Sequence, residues 1–152
     1  MIMNIEHAER KDYQTLIKIW EESVRATHDF LKEADLIALK PLILDHYFDA
    51  VNLTCVRNSD GGIPGFCGTH EGNIEMLFVS PAARGTGVGT LLTQYAIEHQ
   101  GITRVDVNEQ NEQALGFYQH MGFIVTGRSP LDGQGKPYPL LHMELSNVEH
   151  ID

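Results

Sequence analysis

Apolar and polar positions follow two periods along the chain, and the switches between them mark the elements. A short strand is predicted at residues 2–6. Tyr13, Leu16, Ile17, Trp20 and Val24 recur at helical spacing, which predicts an amphipathic helix from Asp12 to about Ala26. Residues 32–50 read as helical again, with a break or kink at Pro41. Between them lies a polar and aromatic loop, Thr27-His28-Asp29-Phe30-Leu31. The middle of the chain reads as strands at Leu53–Arg57, Pro64–His70 and Asn73–Val79, separated by turn signals at Ser59-Asp60-Gly61-Gly62 and Glu71-Gly72-Asn73. The last of these strands becomes wholly apolar toward its end, as central strands do. A helix then carries Val88, Leu91, Leu92, Tyr95 and Ala96 on one stripe. Thr103–Val107 is a strand, Asn111–Met121 a helix, Phe123–Thr126 a strand, and Gly127–Pro139 a loop. Leu140–Leu145 is the last strand, and a polar tail from Ser146 is expected to fray. Alternating strands and helices after an antiparallel meander predict a mixed α/β domain of three layers, with helices on both sheet faces.

Length and composition fit that picture. A chain of 152 residues predicts one domain over 1–152, large enough to bury roughly 70% of its unfolded surface without metals or disulfides. Hydrophobic residues at 42% and charged residues at 21% exclude a disordered chain, a collagen-like repeat and a coiled coil. Wholly apolar runs such as Met76–Val79 fall far below the ~20 residues of a membrane span. No basic segment leading into an apolar stretch opens the chain, so a cytoplasmic location is expected.

Charge changes the list of partners. Asp and Glu number 21 against 11 Lys and Arg, a formal −10. Such a chain is a poor general binder of nucleic acid, because phosphate contacts dominate that affinity. It favours encounter with cations, amines included. An anionic ligand needs a local device, such as a helix N-terminus with an Arg. Cys55 and Cys67 have no metal-ligand spacing and read as reduced core thiols. The eight His form no H-E-x-x-H and accompany no C-x-x-C, so no metal site is expected.

Such an anion device is present at Val79-Ser80-Pro81-Ala82-Ala83-Arg84-Gly85-Thr86-Gly87-Val88-Gly89-Thr90. A buried strand ends there, and a helix begins inside a Gly-rich run. Glycines let the backbone approach a ligand closely. The helix start offers unpaired N–H groups and partial positive charge, which suits a pyrophosphate. A P-loop Lys is missing, and G-x-G-x-x-G fails at Thr90 counted from Gly85 and at Leu92 counted from Gly87. The pattern that fits is R-x-x-G-x-G, on Arg84, Gly87 and Gly89.

This stretch resembles motif A of the GNAT (GCN5-related N-acetyltransferase) superfamily, which holds the pyrophosphate of coenzyme A. Residues 108–123 resemble its motif B, N-x-x-A-x-x-x-Y-x-x-x-G-F, here with Asn111, Ala114, Tyr118, Gly122 and Phe123. Residues 27–31, Gly127-Arg128-Ser129 and Lys136-Pro137-Tyr138-Pro139 are similar to a bacterial subgroup, the YjaB-type acetyltransferases. The resemblance implies a mixed sheet of about seven strands and acetyl-CoA as acyl donor. It implies a phosphate cradle from the backbone of Arg84, Gly85, Gly87, Val88, Gly89 and Thr90, with Thr86 in the same loop. It places Leu77, Phe78 and Val79 at a splayed strand pair that supplies oxyanion donors, and Asn108, Asn111, Ala114 and Phe117 along the cofactor, with Asn111 either binding the pantetheine arm or anchoring the helix.

Acetyl transfer to an amine sets further demands. An alkyl amine with a pKa near 10.4 is protonated at pH 7, and freeing it costs about 4–5 kcal/mol. A general base is therefore useful. Glu75 is the candidate. Period-two alternation puts it on one face with Asn73, opposite an apolar face of Ile74, Met76 and Phe78, where a carboxylate would have a raised pKa. The alternative is a structural hydrogen bond. His70 and His28 are further candidates, with His28 read more as an acceptor-site contact. Tyr118 matches the family's general acid for the leaving thiolate; the alternative is plain packing beside Phe117 and Met121. Trp20, His28, Phe30, Asn73 and Tyr138 are candidates for the acceptor pocket. The expected partner is a small-molecule amine, slightly favoured over a peptide or protein amine, with no nucleic acid or membrane and a monomeric or homodimeric state. A module that only binds acyl-CoA is the rival from another class, and it requires neither Tyr118 nor Glu75.

Overall fold

The computed structural model describes residues 3–146; the predicted start at Ile2 and the tail beyond Ser146 lie outside them. Strand β1 (Met3–His7) leads through a short turn at Arg10–Asp12 into helix α1 (Tyr13–Thr27). Leu16, Ile17, Trp20 and Val24 of α1 are buried, as their spacing predicts. Helix α2 (Glu33–Leu42) contains Pro41 within its last turn. The predicted break falls just downstream instead: Ile43–Tyr47 is a wide π turn, followed by a short α3 (Phe48–Ala50). Pro41 has no N–H to give to the preceding turn, and the disturbed hydrogen-bond ladder widens after it.

The meander is β2 (Asn52–Asn58), β3 (Gly65–His70) and β4 (Asn73–Val79). The β3–β4 turn is made by Glu71 and Gly72, both at positive φ, as a two-residue hairpin turn requires. Then come α4 (Val88–His99), β5 (Arg104–Asn108), α5 (Glu112–His120), β6 (Phe123–Ser129) and β7 (Leu140–Leu145). β6 runs three residues further than expected, past a register shift between Val125 and Gly127 that carries it into the predicted loop.

All seven strands form one sheet in the order β1-β2-β3-β4-β5-β7-β6. The β4–β5 pair is parallel and the others are antiparallel. Two cores sandwich the sheet. One packs α1, α2 and the π turn against β2–β4, through Trp20, Phe48 and Phe66; the other packs α4 and α5 against the opposite face, through Leu92, Val105, Tyr118 and Met143. A side chain at Gly65 of β3 would come within 2.8 Å of Val88. The bare glycine thus lets the first turn of α4 settle onto the sheet, fixing where its N-terminus points.

Candidate active site

Two irregularities in β4 make the site. First, β4 pairs with β5 only at Asn73↔Arg104 and Ile74↔Val105. Beyond Ile74 the two strands diverge, and the β5-facing amides and carbonyls of the rest of β4 lose their ladder partners. Second, β4 bulges against β3. Ile74 faces Thr69 and Met76 faces Gly68, leaving Glu75 with no partner. The bulge breaks the alternation. Ile74 joins the α4–α5 core, while Met76 and Phe78 join the α1–α2 core. The single apolar face expected of Ile74, Met76 and Phe78 is therefore corrected, because the extra residue rotates the strand after it.

The divergence opens a cleft of about 280 Å³. Leu77, Phe78 and Val79 form one wall, and Val105, Asp106, Val107 and Asn108 the other. Asn111, Ala114, Phe117 and Tyr118 from α5 and its cap, Arg84 and Gly89 from the Gly-rich loop, and Ser23, Thr27 and His28 from the end of α1 complete the lining. A contiguous recess of about 250 Å³ continues along the loop past Gly85, Gly87, Val88, Gly89 and Thr90, sharing Val79, Arg84, Gly89 and Phe117 with the cleft.

The recess has the chemistry of an anion cradle. Gly85 and Gly87 sit at φ of 78° and 90°, and Gly87 is the N-cap of α4. An added Cβ would meet nothing within 4 Å at either position, so the left-handed backbone, not space, requires glycine there. The first bond across the start of α4 runs from Leu91 N–H to Gly87 O, leaving the N–H groups of its first turn without intrahelical acceptors. Thr86 takes no part in the recess lining: its N–H and hydroxyl both turn to Ala83 O. The Arg84 N–H likewise bonds Pro81 O, while its guanidinium reaches Gln113 on α5. Those amides hold the loop's own shape, and the side chain of Arg84 remains the local cation.

Tyr118 is buried, edge-on to Phe117 and Phe123. Burial, and to a lesser degree the neighbouring Cys67, pushes its phenol above the ordinary tyrosine value, so the hydroxyl holds its proton. Burial also pushes the Cys67 thiol up to about 12. Both cysteines are free and buried, as expected. Glu75 lines the cleft but is exposed, so the apolar enclosure expected of it is missing. Its carboxylate accepts a 2.7 Å hydrogen bond from Asn73 Nδ2, on the shared face the alternation predicts.

Asn111 is the N-cap of α5, its Oδ1 accepting from Ala114 N–H at 3.2 Å. Its Nδ2 lies 3.5 Å from His28 Nε2, where the α5 and α1 parts of the lining meet. Asn108 caps its own turn, accepting from Gln110 N–H. Trp20 is 2% exposed in the α1 core and lines neither cavity. Phe30 stacks on His28, with ring centroids 5.1 Å apart, and touches Tyr138. Tyr138 is buried and ties the start of α2 to the 130–139 loop, donating to Asp35 and accepting from Lys32 N–H. These placements put Trp20 and Tyr138 in the framework around the site.

A further recess on the far side of Glu75 includes Asn73, His70, Arg104, His142 and Glu144; Glu75 and Asp106 line both it and the cleft. His70 contacts Glu71 there, away from Tyr118. Asp106, His142 and Ser129 hydrogen-bond in series across β5, β7 and β6. Sequence reasoning missed Thr27, Asp106 and Gln113. The polar alternation of Arg104, Asp106 and Asn108 along β5 was the available signal for Asp106; Thr27 and Gln113 carried none.

Comparison with known proteins agrees with this geometry. The sequence matches the family described as an acetyltransferase (GNAT) domain over residues 51–125. Peptidyl-lysine N-acetyltransferase YjaB of Salmonella typhimurium is 41% identical over 143 residues, which span 94% of this chain and 98% of that protein. The solution structure of apo-form YjaB from Escherichia coli superposes with a TM-score of 0.87 at 38% identity, covering 95% of this chain and 97% of that one. The PaiA N-acetyltransferase of Thermoplasma acidophilum, solved in complex with coenzyme A, shares the fold at a TM-score of 0.76 and 18% identity, covering 96% of this chain and 100% of that one.

Proposed function

We propose, from the premise that this chain belongs to the GNAT acetyltransferase family, that it acetylates lysine side chains of peptides or proteins by direct attack of the amine on acetyl-CoA. The chain is an acetyl-CoA-dependent N-acetyltransferase of the GNAT type; the lysine acceptor and the direct attack are the proposal. One observation carries the mechanism: the divergence of β4 from β5 opens a cleft lined by Glu75 and Tyr118, and the adjoining recess brings in the free amides of α4. The recess along α4 fits a diphosphate, by amides and helix dipole with Arg84 alongside. The unpaired β4 amides near Leu77–Val79 are donors for the oxyanion. Tyr118 supplies the proton to the departing sulfur.

Glu75 stands at the exposed mouth, where it attracts an ammonium and takes the proton that keeps it from attacking, held in place by Asn73. A lysine acceptor is supported by the relatives named peptidyl-lysine N-acetyltransferases, which match this chain over nearly their whole length. It is also supported by the acidic residues Glu75 and Asp106, which border both the cleft and the recess beside it. The unpaired thiols of Cys55 and Cys67 fit a reducing compartment, and the reading places the reaction in the cytoplasm.

The test is free-thiol release from acetyl-CoA with a lysine peptide blocked at its α-amine, beside a panel of small amines. The peptide is expected to give a kcat/KM at least tenfold above any small amine. Turnover of small amines alone overturns the lysine reading, and release with no amine overturns acetyl transfer itself.

A further inference from the structure

His28 lines the cleft from the C-terminal end of α1, beside Asn111 at the start of α5, and Tyr118 lines the same cleft. Its backbone is fixed as the C-cap of α1, with its N–H on Val24 O at 2.7 Å, and Phe30 packs against its ring. Its hydrogen-bond partners on both sides assign the same tautomer. Thr27 Oγ1 spends its proton on Ser23 O at 2.8 Å. The 2.7 Å contact between that oxygen and His28 Nδ1 therefore requires the ring nitrogen to be the donor. On the other side, Asn111 Oδ1 is occupied by the Ala114 N–H. The Asn111 atom facing His28 Nε2 is thus its NH₂, a donor, and Nε2 must be bare. At 3.5 Å that contact is too long to be a strong hydrogen bond, so an incoming N–H can displace it at small cost.

We propose that His28 is a catalytic base, its Nε2 taking the proton that the acceptor nitrogen must shed as the new C–N bond forms. The inference rests on the acetyl-transfer reading and completes its proton balance. An alkylammonium loses two protons on becoming an amide. The first leaves at the mouth of the cleft, by way of Glu75, and frees the lone pair. The amine then attacks the thioester carbonyl carbon; the C–N bond forms and the carbonyl oxygen takes the negative charge. The nitrogen now carries a positive charge, and His28 Nε2 accepts its second proton. The C–S bond breaks as the adduct collapses, and sulfur leaves with the electron pair and takes the Tyr118 proton. The imidazolium proton returns through water to the phenolate, so the net products are amide, free thiol and one proton.

The surroundings keep His28 ready for this step. Burial holds its pKa below the ordinary value of 6.5, against a smaller opposing pull from Asp29, so the ring is neutral at pH 7. The other charged groups on the cleft around it are Glu75 on β4, Asp106 on β5 and Arg84 in the Gly-rich loop.

Two measurements test the proposal. Long-range ¹H–¹⁵N spectra of the full chain at pH 7 are expected to show the His28 proton on Nδ1 and a bare Nε2; a proton on Nε2 overturns it. In the thiol-release assay with the blocked lysine peptide, His28→Ala is expected to lower kcat by about 10²–10⁴-fold, with the KM for acetyl-CoA within twofold of wild type and at least tenfold rescue by added imidazole. A kcat within threefold of wild type, or a loss that imidazole leaves untouched, overturns the base role. Wild type that turns over no amine overturns the acetyl-transfer reading and this step with it, whereas a defect confined to the variant falls on His28 alone.

Discussion

Replacing Tyr118 with Phe removes one oxygen and leaves the ring stacked on Phe117 and Phe123. No described residue hydrogen-bonds that hydroxyl, so the fold loses no partner. A change of 1 kcal/mol moves the melting temperature of a domain this size by about 2–4 °C, and the variant is expected to melt within that range of wild type, or above it. Catalysis is the opposite case. A positioned general acid contributes about 10²–10⁴-fold, which at 1.36 kcal/mol per decade is about 2.7–5.4 kcal/mol of the barrier. The assay is thiol release at saturating acetyl-CoA and peptide, beside a melting curve with and without acetyl-CoA. The expected result is a kcat lower by at least a hundredfold, with the acetyl-CoA-induced rise in melting temperature retained. A kcat within threefold of wild type refutes the assignment of Tyr118 as donor, and a lost thermal shift would mean that the hydroxyl serves binding instead.

Two glycines separate conformation from space. Gly87→Ala forces a side chain into the left-handed N-cap of α4 and is expected to cost about 1–2 kcal/mol and to raise the KM for acetyl-CoA; Gly116→Ala, in the open middle of α5, is expected to gain about 0.5–1 kcal/mol, both read from denaturant melts. Protonation gives the third prediction. Because the folded pKa of His28 lies below 6.5, the unfolded chain binds more protons once pH falls under that value, so stability contributed above pH 6.5 is lost toward pH 5, at no more than about 1.36 kcal/mol per pH unit. His28→Gln is expected to flatten that part of the stability curve, and parallel curves for wild type and variant would contradict it.

The parts of the site carried by local backbone rules were legible in the amino-acid sequence. Gly85 and Gly87 are glycines because of their positive φ, and Asn111 stands where α5 needs its cap. Tyr118 falls on the apolar stripe of α5, so its burial followed from spacing. What stayed hidden depends on residues far apart along the chain. The Glu75 bulge arises from how β4 meets Gly68 and Thr69 of β3, and no local pattern in β4 announces it. The insertion of β7 between β5 and β6 is a tertiary choice, and it sets Asp106 beside His142. Trp20 looked available for a ligand because aromatic side chains suit both cores and pockets; its helical stripe proved to be the core. His28 stood in a loop whose role depended on Asn111, 83 positions away.

The most direct measurement is a crystal structure of the chain grown with coenzyme A. Diphosphate oxygens are expected within hydrogen-bond distance of the amides of the first turn of α4, the pantetheine arm between β4 and β5, and the sulfur against the Tyr118 hydroxyl. Coenzyme A bound elsewhere, or a sulfur lying on the far side of β4 from Tyr118, would contradict the account.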